Sequence, residues 1–215
     1  MSKRCGVICI EDLEPGAPIS IRKTLEGEQL RLLLARTFNS TGTNYTFIGM
    51  NPSTATALDS TDNGGDRTTE KICELFVPDN TGPTIRQKLN VDEAGTVFIV
   101  NLVPIINSKS IKTREHWNSL SPEIKQTLLE VNRKYVEFAL AAADIVIPIW
   151  GAPESWKNKA LSFIRPALKT ERIQDKRMVA VPNEKGSPRH PMFTPWQPEL
   201  LEPFSIENGF SRLYD

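Results

Sequence analysis

Within 215 residues the chain balances 26 basic against 26 acidic side chains, giving zero formal net charge, and 39% of it is hydrophobic. A chain of that length buries roughly 70% of its unfolded surface without covalent staples, and its neutral total excludes a surface built throughout for polyanions. Three cysteines, Cys5, Cys9 and Cys73, make neither an even disulfide set nor a paired metal framework, which points to a reducing, cytoplasmic setting.

The apolar run at the N-terminus stops at Glu11, too short for a secretory segment or a membrane span. Gly6–Ile10, Leu30–Phe38 and Tyr45–Met50 have strand length and strand composition, and the turn Asn39–Asn44 predicts that the last two form an antiparallel hairpin. A short helix is expected at Thr68–Phe76 and a buried strand at Thr96–Val103. Ser121-Pro122-Glu123 carries the start signals of a long helix reaching Ala143: a capping serine, proline at the first position and an acid in the first turn. Asp144–Trp150 and Arg177–Pro182 read as further buried strands around a helix, Glu154–Leu168, interrupted by Pro166. Six prolines from Pro182 to Pro203 predict loop and extended chain at the C-terminus. This alternation predicts an α/β fold with a parallel sheet and helices on both faces. One domain is expected over 1–215, with a strand extension at 1–44, a core at 45–193 and an extended tail at 194–215.

In such sheets ligands bind beyond the carboxyl ends of the strands. The first of those ends reads Gly49-Met50-Asn51-Pro52-Ser53-Thr54, where glycine permits close approach and the polar side chains offer uncharged donors and acceptors. The same residues suit an ordinary capped turn. Asp62 and Asp66 follow in a glycine-containing loop; either could orient a water, and Asp66 equally suits a helix cap. Asn101 ends the apolar run Val97–Val100, so its amide must bond neighbouring backbone or meet a ligand edge. His190 lies between Pro188 and Pro191 on stiff backbone, placed for a site or for a plain surface loop. His116 has charged neighbours and no place at a strand end, and reads as structural. Phosphate-loop, dinucleotide, serine-hydrolase and zinc spacings are absent, so no metal and no cofactor is implied.

Leu32–Phe38, Phe47–Ala55, Asp66-Arg67-Thr68, Val100-Asn101-Leu102, Ile149-Trp150-Gly151 and Arg189–Phe193 together resemble the bacterial and phage family catalogued as domain of unknown function 1643. More distantly, Gly49-Met50-Asn51-Pro52, Val97–Asn101 and His190-Pro191 are similar to the motifs of the uracil-DNA glycosylase superfamily. That resemblance implies a three-layer α/β/α fold around a central, mainly parallel four-stranded sheet, here with an N-terminal antiparallel hairpin as an extension. It also implies hydrolysis of the bond between sugar and base in DNA. Asn51 would position water with Asp62 or Asp66 behind it, His190 would stabilise the departing base and Asn101 would read it. Gly49, Met50, Pro52, Ser53, Thr54, Trp150, Arg189 and Pro191 would line the substrate site. The chain departs from the superfamily in having no aromatic residue soon after Pro52 and no cluster-binding cysteines.

The expected partner is DNA, single-stranded or carrying modified bases, and no membrane. Nine basic against three acidic residues between Lys157 and Arg189 fit a local DNA face, or equally a solvated helix surface. Two other functions compete: a non-catalytic module binding nucleic acid or nucleotide, as in phage defence or counter-defence, and a hydrolase of free nucleosides or nucleotides.

Overall fold

Two residues with positive φ decide how the sheet begins. Glu26 (φ 52°) and Gly27 (φ 79°) form a two-residue turn with both central residues in the left-handed region, the geometry that matches strand twist. They join β1 (Pro18–Leu25) to β2 (Glu28–Thr37) as an antiparallel hairpin. The computed structural model describes residues 18–76, 84–107, 109–151, 155–168, 176–184, 186–192 and 197–204. The strand expected at Gly6–Ile10 lies outside them, as do Cys5 and Cys9.

The hairpin expected between β2 and β3 (Thr43–Gly49) does not form. β4 (Ala94–Asn101) lies between them, antiparallel to β2 and parallel to β3. Burial is the reason. All of β4 and the last five residues of β3 are buried, and a strand apolar on both faces needs a neighbour on each edge and a layer above and below. β5 (Ile145–Pro148) runs parallel beside β3, β6 (Arg177–Ala180) parallel beside β5, and β7 (Glu202–Pro203) antiparallel beside β6. The sheet is therefore mixed and seven-stranded, ordered β1-β2-β4-β3-β5-β6-β7, with as many antiparallel as parallel pairings. The β1/β2 hairpin is no extension of a smaller sheet, because β2 is itself paired to β4.

Adjacent residues of the central strands feed opposite cores, as the two-residue strand period requires. Phe47, Val97 and Ile147 pack with Ile72 of α1 (Arg67–Glu74) and with Ile85 and Leu89 of α2 (Ile85–Leu89). Ile48, Phe98 and Val146 pack on the other side with Trp117 of α3 (Ser110–Ser119), Leu129 and Val136 of α4 (Pro122–Ala142), and Ile164 of α5 (Ser155–Leu168). Helices thus cover both faces. Helix α4 starts as its cap signals predict, with the Ser121 hydroxyl accepting the Ile124 N–H at 3.3 Å. Pro166 lies near the end of α5 without interrupting it. The short α2 has a reciprocal cap, Thr84 with Gln87, and both it and α3 are additions to the helices expected from local pattern. Among the described residues of the proline-rich end, regular structure is a 3-10 turn at Pro198–Leu200 and the short β7. No helix among the described residues is long and apolar enough to cross a membrane.

Tyr45 is fully buried against Phe76, ring centroids 4.8 Å apart, and its hydroxyl has no partner among the described residues. Burial pushes its pKa up to about 12. Tyr45→Phe keeps the ring and removes the unmet hydroxyl, so urea unfolding is expected to show a variant equal to the parent or about 1 kcal/mol more stable. A loss of similar size would mean that the hydroxyl is bonded.

Candidate functional site

The four parallel strands end on one edge of the sheet, and β2, running the other way, begins there: the Arg31 N–H donates to the Pro104 carbonyl at 3.0 Å. A narrow cleft of about 40 Å³ opens at this edge. Gly49 lines it from the end of β3, Met50, Asn51 and Ser53 from the loop that follows, Ile99 and Asn101 from β4, and Ile149 from the exit of β5. Thr68 and Thr69 enter from the start of α1, Arg31 from β2, and His190 from the last loop. Asn51, Asn101 and His190, far apart in sequence, therefore share one cavity.

Asn51 is oriented by its own amide. Its Nδ2 donates to the Asn107 carbonyl at 2.8 Å and the Pro52 carbonyl at 3.2 Å. Both partners only accept, so the nitrogen is fixed on that side and Oδ1 is the acceptor on the other. Asn101 is 3% exposed, and its Nδ2 has no hydrogen-bond partner among the described residues. Its backbone carbonyl accepts from Asn132 Nδ2 of α4 at 2.7 Å, tying the site to the helix behind. Gly49 is required here by close approach: a Cβ at this position would stand 2.6 Å from Asn101 Oδ1.

His190 reaches the cleft because the chain doubles back after β6. Asn183 N–H donates to Ser187 O and Gly186 N–H to Asn183 O, both at 2.8 Å. The Arg189 N–H then donates to the Val181 carbonyl at 2.7 Å. His190 Nδ1 accepts from the Met192 N–H at 3.2 Å, so the neutral ring carries its proton on Nε2, as a donor.

Other expected site residues fall elsewhere. Asp66 caps α1, its Oδ1 accepting the Thr69 N–H at 2.9 Å, and it does not line the cleft. Asp62 lies exposed on a 3-10 turn. Trp150 is buried against Phe204 on the α4–α5 side, and the cleft takes Ile149 instead. Pro52 and Pro191 are buried beside the lining residues, Thr54 is exposed and Arg189 half-buried. Phe76 packs with Phe38, Tyr45 and Phe47 in the core.

Arg31 was not foreseen as a site residue. Its signal was one charge inside the apolar run from Leu30 to Ala35. It is 3% exposed and donates through Nη1 to the Ala55 carbonyl at 3.0 Å. Arg22 of β1 donates to the Thr54 and Ala55 carbonyls at 2.8 and 2.6 Å, and Arg36 of β2 pairs with Asp59 at 3.1 Å. Three arginines of the hairpin therefore hold the loop that carries Asn51. This is what β1 and β2 contribute to the site.

Basic residues between Lys157 and Arg189 are partly structural. Lys176 Nζ donates to the carbonyls of Ala141 and Ala143 at the end of α4, and Arg177 donates to Leu89 O at 2.6 Å. The side chains of Lys157, Lys159, Lys169, Arg172 and Lys185 lie outside the described ones. His116, read as structural, pairs with Glu28 at 2.7 Å. Cys73 is half-buried beside the α1–α2 core, where burial pushes its thiol pKa up to about 11. Among the described residues no group of three or more His, Cys, Asp or Glu side chains is placed to hold a metal ion.

Residues 31–192 match the model of a family described as "Protein of unknown function (DUF1643)". No curated protein and no solved structure matches the chain.

Proposed function

The chain belongs to this family of unknown function, whose matched span holds every residue lining the cleft, and from the chemistry of that cleft we propose a hydrolase of the N-glycosidic bond of a base flipped out of DNA. The observation that carries the reading is the meeting of Asn51, Asn101 and His190, from three separate strand ends, in one cavity. The four adjacent parallel-ordered strands β4-β3-β5-β6, with helices on both faces, support the finer reading of a three-layer fold related to the uracil-DNA glycosylases.

In the proposed reaction water attacks the sugar carbon as the bond to the base nitrogen breaks. The electron pair of that bond leaves with the base, and one water proton ends on it. Positive charge develops on the sugar and negative charge on the base, so the attacking water needs positioning more than a strong base. Asn51 Oδ1 accepts a hydrogen bond from that water, its amide being held by Pro52 and Asn107. His190 donates from Nε2 to the departing base. Asn101 Nδ2 donates to an acceptor on the base edge. Asp66 serves at one remove, by capping the helix whose Thr68 and Thr69 wall the cleft. The modified base is the selective element, since an already weakened pair costs less to open.

The test is a panel of single- and double-stranded DNA carrying deaminated, oxidised and alkylated bases, assayed for abasic sites by alkaline strand scission. Release from at least one substrate is expected, and its absence from all of them would sink the proposal. Release from free nucleosides alone would move the reading to small substrates, and salt-sensitive DNA binding without release would make the chain a binding module.

A further inference from the structure

Among the described residues Arg31 is buried without a counterion. Every acceptor it meets is neutral: Ala55 O at 3.0 Å, and Ser53 O and Ser53 Oγ at 3.5 Å. Its Nε has no partner, and among the described residues no carboxylate lies within ion-pair reach of it. Asp66 acts on it through a longer-range field, opposed by that of Arg22, its cross-strand neighbour. Burial lowers the Arg31 pKa to about 10, which still leaves the guanidinium protonated at pH 7. A desolvated cation with no counterion among the described residues is unfavourable, and it is relieved by whatever brings the missing charge.

Two independent features face the same cavity with the same polarity. Asn101, 3% exposed, offers an Nδ2 with no partner among the described residues. Thr68 and Thr69 belong to the first turn of α1, where the helix dipole favours negative charge, the Thr69 N–H being taken by the Asp66 cap. Donors arrayed around a fixed cation match a ligand that is rich in acceptors and anionic.

We propose that the cleft is an oxyanion site whose ligand carries a carboxylate or phosphate group that becomes the counterion of Arg31 and takes the Asn101 N–H. The inference rests on the glycosidic reading only in taking this cleft as the ligand site, and not in requiring that a bond be cut. The oxyanion would belong either to a carboxylated base or to the phosphate of a nucleotide.

The full chain is titrated at constant ionic strength with inorganic phosphate, with orotate as a pyrimidine carboxylate, and with uracil as its neutral counterpart, by calorimetry and thermal shift. At least one anion is expected to bind, with uracil about tenfold or more weaker than orotate. Tighter phosphate binding identifies a nucleotide phosphate as the source, and tighter orotate binding a carboxylated base. Arg31→Met should abolish anion binding. Asn101→Ala, which leaves the Arg31 anchor on the loop untouched, should weaken it about tenfold and decides the matter if the Arg31 variant does not fold. The proposal is overturned if the parent protein takes neither anion, if uracil binds as well as orotate while phosphate does not bind, or if binding survives both substitutions unchanged. Abasic-site formation is scored separately: base release without anion binding refutes the oxyanion site alone, and anion binding without release refutes the glycosidic reading alone.

Discussion

Replacing His190 with alanine is expected to slow the proposed base release about 10²–10³-fold in single-turnover assays, the usual cost of deleting one donor aimed at developing charge. The donor in question is Nε2–H, and its protonation follows from the bond that Nδ1 accepts from the Met192 N–H at 3.2 Å. His190→Gln places an amide N–H near the same point and should recover part of the loss. Asn51→Ala should cost a similar factor by freeing the water, with the carbonyls of Pro52 and Asn107 left to bind solvent. His190 is only half-buried, so the unfolding free energy of either variant in urea should change by no more than about 0.5 kcal/mol. Parent-like rates in both His190 variants would remove the histidine from the chemistry.

Asn132→Ala is expected to destabilise the fold by about 3 kcal/mol, one of the largest losses available from a single polar residue. Asn132 is fully buried on α4, and its Nδ2 donates to the carbonyls of Asn101 at 2.7 Å and Leu102 at 3.3 Å, where β4 leaves the sheet. Removing it strands two buried acceptors, each worth about 1–3 kcal/mol when unmet. Its Oδ1 has no partner among the described residues, so the residue is kept for its donors at the expense of its acceptor. At this chain length the deficit corresponds to a fall of roughly 6–12 °C in Tm. Asn132→Leu restores volume without the donors and should recover little. A recovery close to parent stability would show that packing, and not hydrogen bonding, holds that strand end. Since Asn101 projects from the same point, both variants should also weaken ligand binding at temperatures where they remain folded.

Much of the site was legible because its signals are local. Asn101 interrupts an apolar strand, Asn51 follows a strand-ending glycine, and His190 sits among prolines; each needs only its neighbours to be noticed. The cap of α4 is equally local, and Ser121 performs it. Asp66 shows the limit of such signals. A carboxylate before a helix looks the same whether it caps or catalyses, and the bond to the Thr69 N–H assigns it to the cap. Trp150 fails by one residue: successive strand positions face opposite sides, so Ile149 meets the cleft and Trp150 the core behind it.

From the sequence alone came the α/β class, the strands that end at the edge where the cleft opens, and the polar residues standing on those ends. The partners of those strands were settled only by the tertiary structure. Nothing local in β2 and β3 says that β4 separates them, because pairing depends on burying two apolar faces at once across long stretches of chain. The same insertion turns β2 antiparallel to the core and brings its first residues to the edge where β3 and β4 end. Arg31 enters the cleft for that reason, as a charge whose strand looked merely apolar and whose role came from the direction in which it was paired.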